Sequence, residues 1–249
     1  MQQNEEAMSI YQDIAEEIPF DYYGIMSQRE LKKSFTLIKQ FIYDPNQQTD
    51  AQLEWLNIFK ENDLAVNYLD QEILKKKPSE LKDIANSYLP YFVKFRHYQG
   101  LLRYLSLINI STDNKLIEKY FSFLYPLAYF DQIKLHTSNP ALPLSIMRQE
   151  SVFNTYARSP ADAFGLMQII PETAKAHAKN LKVPFKNFED LYQPEINIPI
   201  GVNILDSNIR KFGNFLPAYV AAYNADGGAV KNWLIQRYDG DTLAFIENI

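Results

Sequence analysis

Glu150 is the residue of this sequence best placed for acid–base chemistry. It lies in LSIMRQESVFN (144–154), a segment whose apolar residues recur at helical spacing. Pro143 suits the first turn of such a helix, and Asn154 suits a left-handed stop after it. The sequence therefore predicts that Glu150 lies near the C-terminal end of a helix.

The surroundings expected for Glu150 favour a protonated side chain. Its apolar neighbours one helical turn away are Ile146, Met147 and Phe153. These neighbours and the negative end of the helix dipole both disfavour the carboxylate, so its pKa should be raised. A carboxyl group that keeps its proton near neutral pH can donate it to a glycosidic oxygen. The alternative is an exposed glutamate paired with Arg148 or a lysine, and the helix pattern alone favours that alternative.

Three short blocks in a fixed order strengthen the case for Glu150. They are Glu150-Ser151, the sequence Gly-Leu-Met-Gln at 165–168, and the sequence Ala-Tyr-Asn-Ala at 222–225. Each block alone is short, but three in order with compatible spacing form a specific signal. From about residue 123 to its end, the chain resembles the catalytic domain of the soluble lytic transglycosylases, which are goose-lysozyme-like enzymes.

The resemblance implies that Glu150 is the catalytic residue and that a set of residues around it binds substrate. The expected substrate-binding residues are Ser151, Ser159, Gly165, Met167, Gln168, Tyr223 and Asn224. Tyr223 offers a ring for a sugar face, and Gln168 offers donors and an acceptor for hydroxyl or acetamide groups. Structural alternatives remain open, since serines often bond to backbone and Met167 has the pattern of a core residue.

The resemblance also implies a reaction that uses one carboxylate twice. Glycosidases ordinarily use two acidic side chains, but none of Asp162, Glu172 and Asp226 matches a partner known in the family. Glu150 would protonate the oxygen between N-acetylmuramic acid and N-acetylglucosamine, and the substrate's acetamide would stabilise the cation. Glu150 would then deprotonate the muramic C6 hydroxyl, which closes a 1,6-anhydro ring. A lysozyme-type hydrolase and a poorly active glycan-binding fragment are the alternatives.

Two departures from the family pattern affect these expectations. Asp226, Gly227 and Gly228 stand where the family usually has Gly-Pro-Gly. The chain also stops at Ile249, before the stretch that supplies a groove-lining Glu and Tyr in the family. We therefore expect a domain that is truncated at its C-terminus, with one wall of the groove incompletely closed.

Composition limits the classes of partner. A net charge of −5 argues against nucleic acid, whose binding surfaces are normally basic. His97, His136 and His177 lack metal-ligand spacing, and there is no cysteine, so we expect neither a metal nor another cofactor. His177 is interpreted as an exposed helix residue. Peptidoglycan glycan strands are the expected partner, and the sequence identifies no protein partner.

The cellular location is expected from the substrate. The chain has no run of about 18 apolar residues, and its first residues lack the features of a signal peptide. Peptidoglycan as substrate nevertheless implies the periplasm.

The elements that must position these residues are helices. Only 8 Gly stand beside 17 Tyr and 16 Phe, which is unlike a turn-rich sandwich or barrel, so an all-α fold is predicted. Amphipathic helices are predicted over 31–43, 51–62 and 79–95, paired as hairpins without a regular repeat. Through residues 19–31 the first half is also similar to the helical linker region that precedes the catalytic domain in the family.

Prolines change the pattern of the chain after its first half. Pro126, Pro140 and Pro143 interrupt the helical rhythm. We therefore expect a superhelical linker-type domain of helical hairpins over 1–122 and a lysozyme-like, mainly helical catalytic domain over 123–249.

Overall fold

The fold is helical, as the composition predicts. The computed structural model describes residues 2–33 and 49–249. Within these residues there are fourteen α-helices and two short 3-10 helices but no strand. The only extended pairing described there consists of two isolated bridges, Arg158 with Phe164 and Phe164 with Ile169. The all-α prediction is confirmed.

The chain divides into two compact units, Met1–Leu127 and Ala128–Ile249. The division lies after Leu127, whereas the sequence placed it after residue 122. It lies later because helix α7 continues to Leu124. Pro126 comes shortly after the end of this helix. A proline disfavours the helical conformation of the residue before it, which here is Tyr125.

The described residues of the first unit form seven α-helices. They are α1 (Gln2–Glu17), α2 (Tyr22–Glu30), α3 (Ala51–Ile58), α4 (Asn62–Lys75), α5 (Pro78–Lys94), α6 (Tyr98–Leu107) and α7 (Asn114–Leu124), with a 3-10 helix at Ile110–Thr112. Of the helix predicted over 31–43, residues 34–43 lie outside the described residues. The segment predicted as one helix over 51–62 divides into α3 and the start of α4, whereas the prediction for 79–95 matches α5 closely.

Asp50 joins three helices of the first unit through one carboxylate. Its Oδ1 accepts hydrogen bonds from the backbone N–H groups of Gln52 and Leu53, which caps the N-terminus of α3. Its Oδ2 accepts from the Tyr68 hydroxyl of α4 at 3.0 Å and from the Tyr88 hydroxyl of α5 at 2.9 Å. Every oxygen of this half-buried carboxylate therefore has partners from the protein.

The two phenols are held in their neutral form. Burial, followed by the hydrogen bond to Asp50, raises the pKa of Tyr68 to about 12. The same two causes raise the pKa of Tyr88 further. A phenolate beside the Asp50 carboxylate would lose its donated hydrogen bond and place two negative charges together.

The second unit is arranged around one long helix. Its helices are α8 (Phe130–Ile133), α9 (Ala141–Ser151), α10 (Pro171–Leu181), α11 (Pro194–Phe212), α12 (Leu216–Ala225), α13 (Gly227–Arg237) and α14 (Thr242–Glu247), with a 3-10 helix at Phe188–Tyr192. Helix α11 contacts α8, α9, α10, α12 and this 3-10 helix. Its residues 196–202 are buried without interruption, as expected for a helix that other elements surround on all sides. None of the described helices is long and apolar enough to cross a membrane.

The Asp50 network predicts a loss of stability at alkaline pH. Raised pKa values mean that the unfolded state releases its phenol protons first, near pH 10. The contribution of Tyr68 is present below that pH and is lost as pH rises towards about 12. Tyr68→Phe and Tyr88→Phe should each cost about 1–2 kcal/mol at pH 7. Each should also flatten the decline above pH 10, measured by urea unfolding from pH 7 to 11.5.

Tyr156→Phe provides the matched control for these variants, because this tyrosine is 76% exposed. It should leave both the stability at pH 7 and the alkaline decline unchanged. Variants of Tyr68 and Tyr88 that keep the wild-type alkaline decline would contradict the network.

Candidate active site

Glu150 lies in the last turn of α9, and the helix ends through two left-handed residues. Val152 has φ 51° and ψ 40°, and Phe153 has φ 60°. The prediction of a left-handed stop at Asn154 is therefore wrong, since the reversal occurs two residues earlier. The Asn154 side chain instead accepts a hydrogen bond from the N–H of Tyr156 at 2.9 Å. The left-handed conformation of Val152 and Phe153 is unfavourable for residues with a Cβ, and burial of the Phe153 ring accompanies it.

Glu150 lies in surroundings that disfavour its charge. The side chain is half-buried, and its neighbours Ile146, Met147 and Phe153 are buried apolar residues. Burial raises the pKa of Glu150 above its ordinary value. The group is thus suited to hold a proton and to release it when a reaction requires it.

The buried side-chain amide of Asn197 holds the turn at residues 165–168. The Asn197 side chain in α11 is fully buried, and its Oδ1 accepts from the N–H of Met167 at 2.9 Å. Its Nδ2 donates to the carbonyls of Phe164 at 3.0 Å and Leu191 at 2.8 Å. Asn197 was not among the site residues expected from the sequence. The signal that could have found it is a polar residue within the apolar run Ile196–Ile200.

Gly165 allows this turn to approach α11. Its φ is 75°, and a Cβ added there would lie 2.1 Å from the Leu191 carbonyl oxygen and 2.4 Å from Asn197 Nδ2. Its N–H donates to the carbonyl of Ala157 at 2.8 Å. A side chain at this position would therefore meet both a steric barrier and an unfavourable backbone conformation.

The side chains of Met167 and Gln168 make their contacts within the second unit. The Met167 side chain has no exposed surface and packs against Gly201, where an added Cβ would lie 2.3 Å from its sulfur. Met167 therefore belongs to the core, and its backbone is the part that takes part in the turn. Gln168 is half-buried, and its Nε2 donates to the carbonyls of Gly165 at 3.0 Å and Ala157 at 3.2 Å.

The hydroxyl groups of both serines bond to backbone. Ser151 is buried, and its Oγ lies 2.7 Å from the Leu166 carbonyl oxygen and 3.1 Å from that of Met147. Ser159 Oγ accepts from the N–H groups of Ala161 and Ala163. Ser151 thereby connects the end of α9 to the 165–168 turn. Ser159 stabilises the loop at residues 159–163, which precedes that turn.

Tyr223 brings the third block to the same place. Its hydroxyl donates to the carbonyl of Met167 at 2.8 Å. Burial, and next the charge of Glu150, raise the pKa of Tyr223, so the phenol lies within electrostatic reach of the carboxyl. Asn224 is exposed at the next position of α12. The structure therefore brings together Glu150, the 165–168 turn and Tyr223.

His177 differs from its sequence interpretation. It is half-buried rather than exposed, and its Nδ1 lies 2.7 Å from Asn203 Oδ1. The interpretation as an exposed residue is therefore wrong, because this face of α10 packs on α11. In the part of the chain that the structure describes, no group of three or more His, Asp or Glu side chains could hold a metal ion.

Asp226 occupies a backbone conformation that favours glycine. It has φ 68° and ψ 156°, in a region that is accessible almost exclusively to glycine. Its side chain accepts a hydrogen bond from the N–H of Gly228 at the start of α13. The strain therefore lies between α12, which carries Tyr223, and the helix that follows.

Removal of the Asn197 amide should destabilise the protein strongly. Asn197→Ala leaves the N–H of Met167 and the carbonyl of Leu191 without their hydrogen bonds, at a cost of about 3 kcal/mol. The carbonyl of Phe164 keeps its hydrogen bond from the N–H of Ile169. Asn197→Asp keeps the acceptor but loses both donated hydrogen bonds, so it should also destabilise. Urea unfolding measures both effects. Asn208→Ala on the same helix is the control, because its single bond to the Tyr219 carbonyl is 3.5 Å long, and a loss as large as that of Asn197→Ala would contradict the assignment.

Asp226→Gly should stabilise the protein. Relief of the backbone strain is worth about 1–3 kcal/mol, whereas replacement of an N-cap by glycine costs only a few tenths. The net gain should be about 1 kcal/mol, measured as a rise in the midpoint of thermal unfolding. Asp241→Gly is the matched control, since Asp241 caps α14 from an ordinary conformation with φ −92°. The control should be neutral or destabilising, and a destabilised Asp226→Gly would show that the cap outweighs the strain.

Known proteins resemble this chain over about half of its length or slightly more. Residues 130–246 match the family described as "Transglycosylase SLT domain". The "Soluble lytic murein transglycosylase" of Escherichia coli (strain K12) is 40% identical over 131 residues, which is 50% of this chain and 20% of the relative. The "Membrane-bound lytic murein transglycosylase C" of Mannheimia succiniciproducens is 31% identical over 166 residues, which is 59% of this chain and 44% of the relative. The chain thus spans less than half the length of these relatives.

Solved structures resemble nearly the whole chain. The crystal structure of the 70 kDa soluble lytic transglycosylase from Escherichia coli has a TM-score of 0.77 and 26% identity, and it covers 99% of this chain and 40% of that one. The lytic transglycosylase Slt of Pseudomonas aeruginosa, solved as an inactive mutant, has a TM-score of 0.72 at 23% identity, and it covers 97% of this chain and 39% of that one. The second likeness concerns the fold alone. These findings confirm the resemblance drawn from the sequence blocks, and residues 130–246, which include Glu150, match the model of the transglycosylase SLT domain family.

Proposed function

We propose that this protein is a lytic transglycosylase that cleaves peptidoglycan glycan strands. The bond cleaved is the β-1,4 bond between N-acetylmuramic acid and N-acetylglucosamine, and the product carries a 1,6-anhydromuramic end. The observation that carries the proposal is Glu150, a half-buried carboxyl with a raised pKa. It lies in a domain whose relatives are named lytic murein transglycosylases.

The first step is donation of a proton. Protonated Glu150 gives its proton to the oxygen that links the two sugars, and the bond between that oxygen and C1 of the muramic residue breaks. The carbonyl oxygen of the muramic acetamide stabilises the positive charge that develops at C1. A raised pKa favours this step because more of the enzyme holds the proton at neutral pH.

The second step returns a proton to the same carboxyl. Ionised Glu150 removes the proton of the muramic C6 hydroxyl, and that oxygen forms a bond to C1. The anhydro ring closes, no water is consumed, and Glu150 is protonated again for the next cycle. Glu150 serves first as acid and then as base. Its proton affinity must therefore be high enough to keep the proton before the first step and low enough to release it during that step.

The other acidic residues near the three sequence blocks lie in ordinary structural positions. Asp162 accepts two hydrogen bonds from Arg158, at 3.0 and 2.6 Å. Asp226 caps α13, and Glu172 is exposed in the first turn of α10. These placements support a reaction that relies on Glu150 alone rather than on a pair of carboxylates.

The reaction would take place in the periplasm on glycan strands. This location follows from the proposed substrate, because peptidoglycan lies outside the cytoplasmic membrane. A groove across Glu150, Gln168 and Tyr223 would hold the strand over the bond that is cleaved. Asn224 and Ser159 would lie at the edges of that groove and make further contacts with the strand.

Glu150→Gln should reduce turnover strongly without loss of fold. Glutamine is nearly isosteric but can neither donate nor accept the catalytic proton, so turnover should fall by about 10²–10⁴-fold. The measurement is mass spectrometry of purified peptidoglycan after digestion, with anhydro-ended fragments counted. Glu172→Gln, an exposed carboxyl in the same unit, is the control and should digest normally.

The products discriminate between the proposal and its alternatives. Fragments with anhydro ends support a transglycosylase. Fragments with reducing ends, heavier by one water, would instead identify a lysozyme-type hydrolase. Glycan release by Glu150→Gln at the wild-type rate would contradict the acid role of this residue.

A further inference from the structure

Four aromatic rings form a cluster on the surface of the second unit. The members of this four-ring cluster are Tyr156, Phe164, Phe188 and Tyr192. Phe164 is buried at its centre, 4.9 Å from the ring of Phe188 and 5.8 Å from the ring of Tyr192 between centroids. The Tyr156 ring lies 5.7 Å from that of Tyr192. Phe164 immediately precedes the 165–168 turn, so the cluster is built onto that turn.

The Tyr156 ring is exposed but its backbone is firmly held. The residue is 76% exposed, and its N–H donates to Asn154 Oδ1 at 2.9 Å. The next carbonyl, that of Ala157, accepts hydrogen bonds from the N–H of Gly165 and from the Gln168 side chain. Tyr156 is therefore fixed next to the residues that line the proposed groove, only six positions after Glu150.

Charged groups border the cluster. The Arg158 guanidinium lies 5.4 Å from the centroid of the Phe164 ring and bonds to Asp162. An apolar ring surface with hydrogen-bonding groups at its rim results, and the Tyr156 hydroxyl adds a further donor and acceptor.

Tyr156 differs from an ordinary exposed apolar side chain. Leu135 in the same unit is equally exposed at 76%, and single residues of that kind need no explanation. Tyr156 instead belongs to a ring cluster supported by a buried phenylalanine and by the backbone of the turn. An exposed ring on a hydrogen-bonded backbone, in contact with a neighbouring ring, loses less conformational freedom than a free side chain when a ligand covers it.

We propose that Tyr156 is a further substrate-binding residue that stacks against a pyranose ring of the glycan strand. A pyranose has a face of C–H groups and a rim of hydroxyl and acetamide groups, which matches an aromatic face bordered by polar groups. The proposal rests on the proposed function, because it assigns a second contact to the same substrate. The stem peptide is the competing occupant, and the experiment separates the two.

The test measures binding of chitotetraose, a peptide-free N-acetylglucosamine oligomer, by calorimetry in the Glu150→Gln background. Tyr156→Ala should raise the Kd about tenfold, which corresponds to covering roughly 50 Å² of apolar ring surface. Tyr156→Phe and Tyr156→Trp keep a ring and should stay within about twofold of the parent. Leu135→Ala is the control of equal exposure and should bind like the parent.

Several outcomes would overturn the stacking contact. One is an unchanged Kd for Tyr156→Ala, and another is a loss in Tyr156→Phe as large as in Tyr156→Ala, which would assign the effect to the hydroxyl. A loss seen only with peptide-bearing muropeptides would assign Tyr156 to the stem peptide. Failure of the parent to bind chitotetraose would also overturn the proposal.

Wild-type turnover separates this proposal from the proposed function. If the wild-type chain forms anhydro ends while Tyr156→Ala keeps both KM and kcat on glycan strands, only the stacking contact fails. If the wild-type chain forms no anhydro ends, the proposed function fails. Support requires anhydro products together with a raised KM and a nearly unchanged kcat in Tyr156→Ala.

Discussion

A single buried amide is the constraint on which the site depends. Asn197 has no exposed surface, so its hydrogen-bonding groups must find partners within the protein. It finds them in the N–H of Met167 and in the carbonyls of Phe164 and Leu191. This requirement fixes the 165–168 turn and the end of a 3-10 helix on one side chain of α11, and Gly165 is the residue that permits so close an approach.

The two units use a polar side chain in the same way. Asp50 joins α3, α4 and α5, much as Asn197 joins α11 to the 165–168 turn and to the 3-10 helix at Phe188–Tyr192. In each case the apolar core provides most of the burial, whereas the polar group determines which segments meet. Glu150 is different, because its burial raises its pKa and leaves its proton available.

Local signals in the sequence predicted part of this arrangement. The helical class and the position of Glu150 near a helix end follow from composition, spacing and residue type. Asn197 could not be identified in the same way, since its partner Met167 lies 30 positions away in the chain. Local propensity also misplaced the end of α9, because the fold imposes a left-handed conformation on Val152 that asparagine would adopt more easily. For His177, tertiary packing on α11 overrides its interpretation as an exposed residue.

The hydrogen bond from Tyr223 to the Met167 carbonyl also determines the polarity that this phenol presents to a ligand. A tyrosine hydroxyl has one proton, and that proton points into the turn at 2.8 Å from the acceptor. The hydroxyl oxygen of Tyr223 can therefore only accept a hydrogen bond from a ligand, through a lone pair. A ligand group that meets Tyr223 at this oxygen must therefore be a donor, such as an acetamido N–H or a sugar hydroxyl, and a carbonyl or carboxylate oxygen placed there would be repelled.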